Sequence, residues 1–391
     1  MQRDGTRAAL SLILPLLLAV LVLTAAGMVS IRAIAVDEGT KQAIFILFGI
    51  AAALAVQMVN YRVLLALSPL IYALSLLPVL YTVAGRFAGV PLVRQINGAY
   101  AWILLGPISI QPAELTKLGL VLVLAWTLRG ENETRSKWVL TRSLMLAGLA
   151  MFLILQQPDL GTVLTLIPPT LVMVYVAGVK KRHLLALMAM GMVLAPVLWF
   201  SGTCAVRGPS CELCSNVVVL NRLPQFVKHY QRARVRAMYT DDPRVLQDAG
   251  FQQQRAMEAL GSGGLLGKGM GNVPAGEKVP EAHTDMVLAL IGEQFGLLGV
   301  GIILMAYALM VGVGAAIASE HRDQTGSLLA VGLITLLSAQ AALNMAVALR
   351  IMPVTGVTLP LISYGGSSLV VSFLALGLLV NVARNQRRVK F

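Results

Sequence analysis

The residues best placed to do chemistry stand at the edges of apolar runs. Val279-Pro280-Glu281-Ala282-His283-Thr284-Asp285 closes a long polar stretch just where an apolar one begins, which sets the Asp285 carboxylate at a membrane–water boundary. A carboxylate there can take a proton from the polar head of a lipid-borne substrate. The position suits a helix N-cap equally well, and the sequence leaves both readings open.

Other polar groups recur at the ends of apolar runs. In Gln111-Pro112-Ala113-Glu114-Leu115-Thr116-Lys117, Glu114 and Lys117 are three residues apart and share a helix face, so they can pair. Charges inside a bilayer cost several kcal/mol, so such a pair faces a bundle interior or a polar cavity, either as a lock between helices or as part of a cavity that positions Asp285. Asp159, in Gln157-Pro158-Asp159-Leu160-Gly161-Thr162, can cap the following helix or touch a substrate. Ser363 and Tyr364 begin a hydroxyl-rich Ser-Tyr-Gly-Gly-Ser-Ser run whose glycines close helix packing alone would explain. His229-Tyr230-Gln231-Arg232-Ala233-Arg234 alternates cations on an amphipathic stretch, and Gly261-Ser262-Gly263-Gly264 precedes Gly267-Lys268-Gly269. That glycine run is not a nucleotide loop, because it lacks the required order and no strand precedes it. Its amides, with Lys268 and the arginines, could hold a pyrophosphate at the bilayer surface, or the arginine helix could lie on lipid head groups.

The elements carrying these residues are membrane spans. Of 391 residues 57% are hydrophobic and 13% charged, with a mean hydropathy of +0.77, far from a soluble protein's ~25% charged. Apolar stretches near 8–31, 43–59, 63–84, 103–128, 139–156, 160–179, 183–201, 285–318, 327–349 and 357–383 predict about ten transmembrane helices in an all-α polytopic membrane protein. One long loop, about 203–284, separates the last three spans from the rest. Arg3, Arg7, Arg62, Lys180, Lys181, Arg182, Arg384, Arg387 and Arg388 gather on one side, so both termini are expected in the cytoplasm and the long loop outside. The formal charge of +13 is then a matter of topology and anionic lipid, with no reason to invoke nucleic acid. The first apolar run reads as a retained span rather than a signal peptide. No fixed-period repeat or matched pair of broken helices suggests an inverted-repeat transporter. Residues 1–391 read as one integral-membrane domain. Cys204, Cys211 and Cys214 all fall in the outward loop, where one disulfide and one odd thiol fit an oxidising compartment; zinc lacks a fourth ligand.

In this order the motifs resemble the SEDS proteins (shape, elongation, division and sporulation), whose members include RodA and FtsW. The anchors are Gln111-Pro112-x-Glu114 with Lys117, Gln157 to Thr162, Gly261 to Gly269, Glu281-x-His283-Thr284-Asp285 with Ile291-Gly292-Glu293, and Ser363-Tyr364-Gly365-Gly366. The resemblance spans nearly the whole chain, and Pro353-Val354-Thr355-Gly356 looks more like the elongation member than the division member. It implies a bacterial inner-membrane peptidoglycan glycosyltransferase that polymerises lipid II into β-1,4 strands, displacing undecaprenyl pyrophosphate with inversion. Asp285 is the expected base. Glu114, Lys117, Gln111, Asp159, Arg232, Lys268, His283, Thr284, Ser363 and Tyr364 are the expected cavity or substrate contacts. A divalent cation, magnesium or manganese, is the expected helper, with no organic cofactor. The expected partners are a class B penicillin-binding protein and other elongation or division proteins. The chain departs from the family at Ala101, Ala113 and Arg255-Ala256, where Arg, Ser and Gln-Ser are usual, and Arg255 is a candidate to restore the lost charge. The rival function is a flippase or transporter for lipid-linked precursors.

Overall fold

The computed structural model describes residues 2–96, 98–106, 108–130, 137–200, 229–238 and 250–385. The three cysteines, and with them the expected disulfide, lie outside these residues.

The protein is an all-α polytopic membrane protein. Among the described residues ten helices overlap the expected spans: α1 (Gln2–Arg32), α2 (Val36–Met58), α4 (Ser68–Ala88), α5 (Pro112–Thr127), α6 (Lys137–Gln156), α7 (Leu160–Val176), α8 (Lys181–Phe200), α11 (Val287–Glu320), α12 (Gln324–Ala348) and α13 (Gly366–Asn385). Seven are long and apolar enough to cross a bilayer on length and composition, while α5 and α7, at 16 and 17 residues, are shorter. A six-residue helix, α3 (Tyr61–Ala66), joins α2 to α4, and the long loop contributes α9 (His229–Arg236) and α10 (Phe251–Ser262).

The two largest shifts of a span boundary from the sequence reading have local reasons. The stretch expected to be helical from residue 103 begins as an antiparallel hairpin, β1 (Ile103–Leu105) with β2 (Ile108–Ile110), and the helix starts only at Pro112. Proline at the first helical position has no amide to waste and fixes φ for helix entry. The last span starts at Gly366 rather than 357, because Pro353, Gly356 and Pro360 hold the approach in an extended and turned path.

Small residues set the packing. Gly49 lies under Phe373 and Gly377 against the backbone of Ala53, so α2 and α13 run in close contact. Buried amides replace the missing water, with Gln42 donating to the Ile362 carbonyl (2.8 Å) and Gln294 to that of Ser30 (3.2 Å). One apolar cluster extends from Leu16 to Ala383. A second, including Ala256, Met286, Leu290 and Val347, cushions α10 on the start of α11 and the end of α12.

Candidate functional site

Four helices begin at one end of the bundle around the same spot. The Gln111 amide, just ahead of α5, donates to Ser367 Oγ in the first turn of α13 (3.1 Å), and its side chain donates to Asp159 Oδ2 at the head of α7 (2.9 Å). Asp285 precedes α11 and feels the charge of Asp159. Gln111 thus ties the starts of α5, α7 and α13 together, and Asp285 ahead of α11 lies within electrostatic reach of them through Asp159.

The two acids at this end behave differently. Asp159 is the N-cap of α7: Oδ1 accepts from the Thr162 amide (3.0 Å) and Oδ2 from its hydroxyl (2.7 Å). Asp285 is not a cap. The N-cap of α11 is Met286, with no side-chain capping bond, so the carboxylate one residue earlier is left for another task. It is held by a turn in which the amides of Thr284 and Asp285 both donate to the Glu281 carbonyl (3.0 and 3.2 Å). Glu281 sits at φ 51, a strained conformation for a side-chain-bearing residue. Asp285 keeps partial access to solvent, yet protein surrounds it closely enough for desolvation to push its pKa from 3.8 to about 6. The neighbouring Glu281 charge and that of Asp159 push the same way, and Thr284 and Arg234 oppose them. Across the gap, Gly356 (φ 71) turns its Cα toward Asp285 Oδ2, where a Cβ would come within 3.7 Å. A side chain there would contact the carboxylate and would be strained at that φ.

The remaining expected site residues separate into groups. Glu114 and Lys117 form a buried ion pair (2.7 Å), and Lys117 also donates to Gln340 Oε1 (2.7 Å), which locks α5 to α12 inside the bundle. Ser363 is buried and its hydroxyl accepts from the Leu359 amide (2.9 Å), closing a turn. The Thr284 hydroxyl closes another, on the Glu281 carbonyl (2.9 Å). Tyr364 and His283 lie beside Asp285, joined by the Tyr364 amide to the His283 carbonyl (2.8 Å) and by an edge-on ring contact at 5.6 Å. Arg232 is half-buried on α9, where desolvation lowers its pKa. At the positions that depart from the family, Ala101, Ala113 and Ala256 are buried, and Arg255 pairs with Glu258 (2.8 Å).

Lys268 does not head an open phosphate cradle. Its ammonium reaches Glu293 (2.5 Å) and Ser262 Oγ (2.7 Å). Glu293 is fully buried and also accepts from the Ala275 and Gly276 amides (3.1 and 2.6 Å) and the Ser262 hydroxyl (3.2 Å). The glycine-rich amides are equally engaged: those of Lys268 and Gly269 donate to the Glu293 and Gln294 carbonyls, and the Gly264 and Leu265 carbonyls accept from Leu297 and Leu298. These bonds fill the break that Gly296 (φ 64) makes in α11. A Cβ on Gly267 would collide with the Gln294 carbonyl and one on Gly296 with the Gly267 amide, which explains both glycines. The segment is a clasp that holds α11 bent.

Of three neighbours of Asp285, Arg234 was read from the sequence only as one of the arginines of a cationic stretch, and Gly356 and Asn344 were missed. Arg234 on α9 supplies the opposing positive charge and donates to the Val354 carbonyl (3.0 Å). Gly356 forms the floor opposite the carboxylate. Asn344 of α12 donates to the Asp285 carbonyl (2.8 Å), and a lone amide in the apolar run Ala341–Ala348 was the available signal. Between α1 and α11, an apolar cleft of about 440 Å³ is lined by Ala25, Val29, Ile291, Phe295 and Ile302, on the same helix that Asp285 precedes.

Comparison with known proteins places these features in context. Residues 7–388 match the cell cycle protein family model of FtsW, RodA and SpoVE. A probable peptidoglycan glycosyltransferase FtsW from Geobacter sulfurreducens is 35% identical over 296 residues, covering 73% of this chain and 70% of the relative. A chain from a peptidoglycan synthase complex, solved to show how polymerization and crosslinking are coordinated, superposes with a TM-score of 0.75 at 30% identity, over 95% of this chain and 98% of that one. The rod shape determining protein RodA of Thermus thermophilus superposes with a TM-score of 0.66 at 29% identity, over 95% of this chain and 97% of that one.

Proposed function

The chain belongs to the FtsW, RodA and SpoVE family, the SEDS proteins, and is a peptidoglycan glycosyltransferase; from that premise we propose that it polymerises lipid II with Asp285 as general base. The observation that carries this is Asp285 itself, a half-buried carboxylate that caps no helix, stands opposite Gly356 and has its pKa pushed up to about 6 by burial. A base titrating there is ionised at neutral pH and still basic enough to take a proton in a transition state. The acceptor sugar's 4-hydroxyl gives its proton to Asp285 as its oxygen attacks the donor's anomeric carbon. The α-linked pyrophosphate leaves from the opposite face, so the product is β-1,4-linked. Arg234, whose charge already acts on Asp285, is the described cation proposed to stabilise the leaving anion. The apolar cleft between α1 and α11 supports a substrate that carries an isoprenoid chain.

Among the described residues no three His, Cys, Asp or Glu side chains come together to hold a metal. We propose that a divalent cation, magnesium or manganese, assists departure of the pyrophosphate. The proposed setting is the bacterial cytoplasmic membrane, with both termini in the cytoplasm, the site facing outward and a class B penicillin-binding protein crosslinking the product. Likeness to a chain of a synthase complex supports that partner. A role in elongation rests on Pro353-Val354-Thr355-Gly356, and depletion should then round the cells; filamentous cells would assign the chain to division.

The test is polymerisation of labelled lipid II by the purified chain together with a crosslinking-dead partner. Glycan strands from the native protein and none from folded Asp285→Asn support the assignment. Equal strands from both remove Asp285 as base, and lipid II translocation without strands favours a flippase.

A further inference from the structure

Asn344 occupies an unusual position for an amide in a membrane helix. It is 1% exposed, and its Nδ2 donates to two carbonyls: that of Asp285 (2.8 Å) and that of Val357 (2.7 Å). Its Oδ1 has no hydrogen-bond partner. Two carbonyls facing one nitrogen fix the amide's orientation, since a flipped side chain would set oxygen against oxygen. The first carbonyl belongs to the residue bearing the carboxylate, and the second follows Gly356, whose backbone forms the opposite wall of the cleft. One side chain therefore ties both walls of the cleft to α12.

We infer that Asn344 is a positioning residue for the transfer reaction, setting the separation between the Asp285 carboxylate and the Gly356 wall. The inference rests on the assignment of Asp285 as base. Few other bonds do this work. The Asp285 amide is held only by its own turn, at 3.2 Å to the Glu281 carbonyl, and Glu281 is itself strained at φ 51. Without Asn344 that turn can relax toward solvent, and the carboxylate moves with it. A displacement of about 1 Å at a reacting group is enough to cost about 100-fold in rate.

The experiment measures lipid II polymerisation by full-length protein with its crosslinking-dead partner, for Asn344→Ala, Asn344→Asp, Gln42→Ala and Asp285→Asn. Asn344→Ala should lower kcat about 30-fold or more with KM changed by less than about threefold. The acid limb of its kcat–pH profile should fall by about half a unit or more as Asp285 gains water. The charged groups facing Asp285 are Glu281 in its own turn, Asp159 at the head of α7 and Arg234 on α9, none of which is altered. Asn344→Asp keeps the shape but sets a carboxylate against two carbonyls, so its loss should be at least as large. Gln42→Ala removes a buried amide donor to the Ile362 carbonyl rather than to the Asp285 or Val357 carbonyl, and should lose thermal stability with the acid limb unmoved. If Asn344→Ala does not fold, Asn344→Ser, which keeps one donor, is read by the same measures.

A kcat within about twofold of native and an unmoved limb in the Asn344 variants would overturn the inference, as would behaviour matching Gln42→Ala. If Asp285→Asn is inactive while the Asn344 variants polymerise normally, only this inference falls; if Asp285→Asn polymerises normally, the base assignment falls with it.

Discussion

Asp285 and Glu293 stand eight residues apart on one stretch of chain, and the fold treats them in opposite ways. Glu293 is sealed from solvent and accepts from two backbone amides, a hydroxyl and an ammonium, so its charge is spent on holding the glycine clasp against the bend in α11. Asp285 is half-buried, caps nothing, and is surrounded in a way that makes its charge harder to keep. A carboxylate fully supplied with donors is a poor base, because each bond stabilises the ionised form that must take up the proton. The comparison separates a structural acid from a chemical one by what surrounds each.

Asp285→Asn should break the comparison most sharply. Loss of a general base typically costs 10²–10⁴ in rate, so glycan synthesis should fall about a thousandfold in protein that still purifies as a folded membrane protein. Polymer output from labelled lipid II measures this, and activity within tenfold of native would make Asp285 no more chemical than Glu293.

Glu293→Gln should do the reverse. It removes the charge that Lys268 needs while keeping the shape, and breaking a buried pair costs about 3 kcal/mol. Unfolding temperature in detergent should drop, while molecules that remain folded should keep the native acid limb in the pH profile of polymerisation. Unchanged stability with lost turnover would mean that Lys268 and Glu293 belong to the chemistry after all.

This division between structural and chemical charges was only partly legible in the sequence. Ten spans could be read because a bilayer demands long apolar helices and the chain supplies them. The hairpin before α5 could not, since Ile103 to Ile110 is as apolar as the helix that follows. Asp285, Asp159 and the Glu114–Lys117 pair were visible as polar residues where polar residues are costly. Their roles were not, because a cap, a lock and a base share the same residue types and differ only in what surrounds them. Lys268 shows the limit most clearly. A lysine among glycines suggests an open phosphate cradle, but the glycines serve the close approach of the clasp to α11, and only the folded chain brings Glu293 to that lysine. Asn344 and Gly356 meet Asp285 from about 60 and 70 residues downstream, a distance over which sequence spacing carries no geometry.

The elevated pKa of Asp285 carries a stability consequence of its own. Because its folded pKa, about 6, lies above the 3.8 of an ordinary aspartate, the contribution to stability is fully present below pH 3.8 and is lost as pH rises through 6. Two units correspond to about 3 kcal/mol, and partial solvent access reduces the realised amount to about 1–2 kcal/mol. Asp285→Asn should therefore be more stable than native protein by about that amount at pH 7.5, with the gain disappearing below pH 4. Thermal unfolding of both proteins across this range measures it, and an equal or lower stability of the variant at pH 7.5 would show that the cleft does not strain the charge.

The smallest effect tests which neighbours set that charge. Arg234 is the cation that favours ionised Asp285, and Glu281 is the anion that opposes it most among the charged groups nearby. Arg234→Gln keeps a donor for the Val354 carbonyl but removes the positive charge, so the acid limb of the kcat–pH profile should rise by about 0.3–0.5 unit. Glu281→Gln removes the like charge and should lower the limb by a similar amount, because exposure of Glu281 weakens its influence without reversing the sign. Arg255→Gln, which breaks an exposed pair with Glu258 on α10, should leave the limb in place. The opposite signs matter more than the sizes. A global change in protein charge or membrane surface potential would move Arg234→Gln and Arg255→Gln together, whereas local control of Asp285 moves only the first. The shifts should also shrink as salt is raised, since both neighbours act across a cleft that water enters. If Arg234→Gln and Glu281→Gln shift the limb in the same direction, the group that titrates near pH 6 is not Asp285.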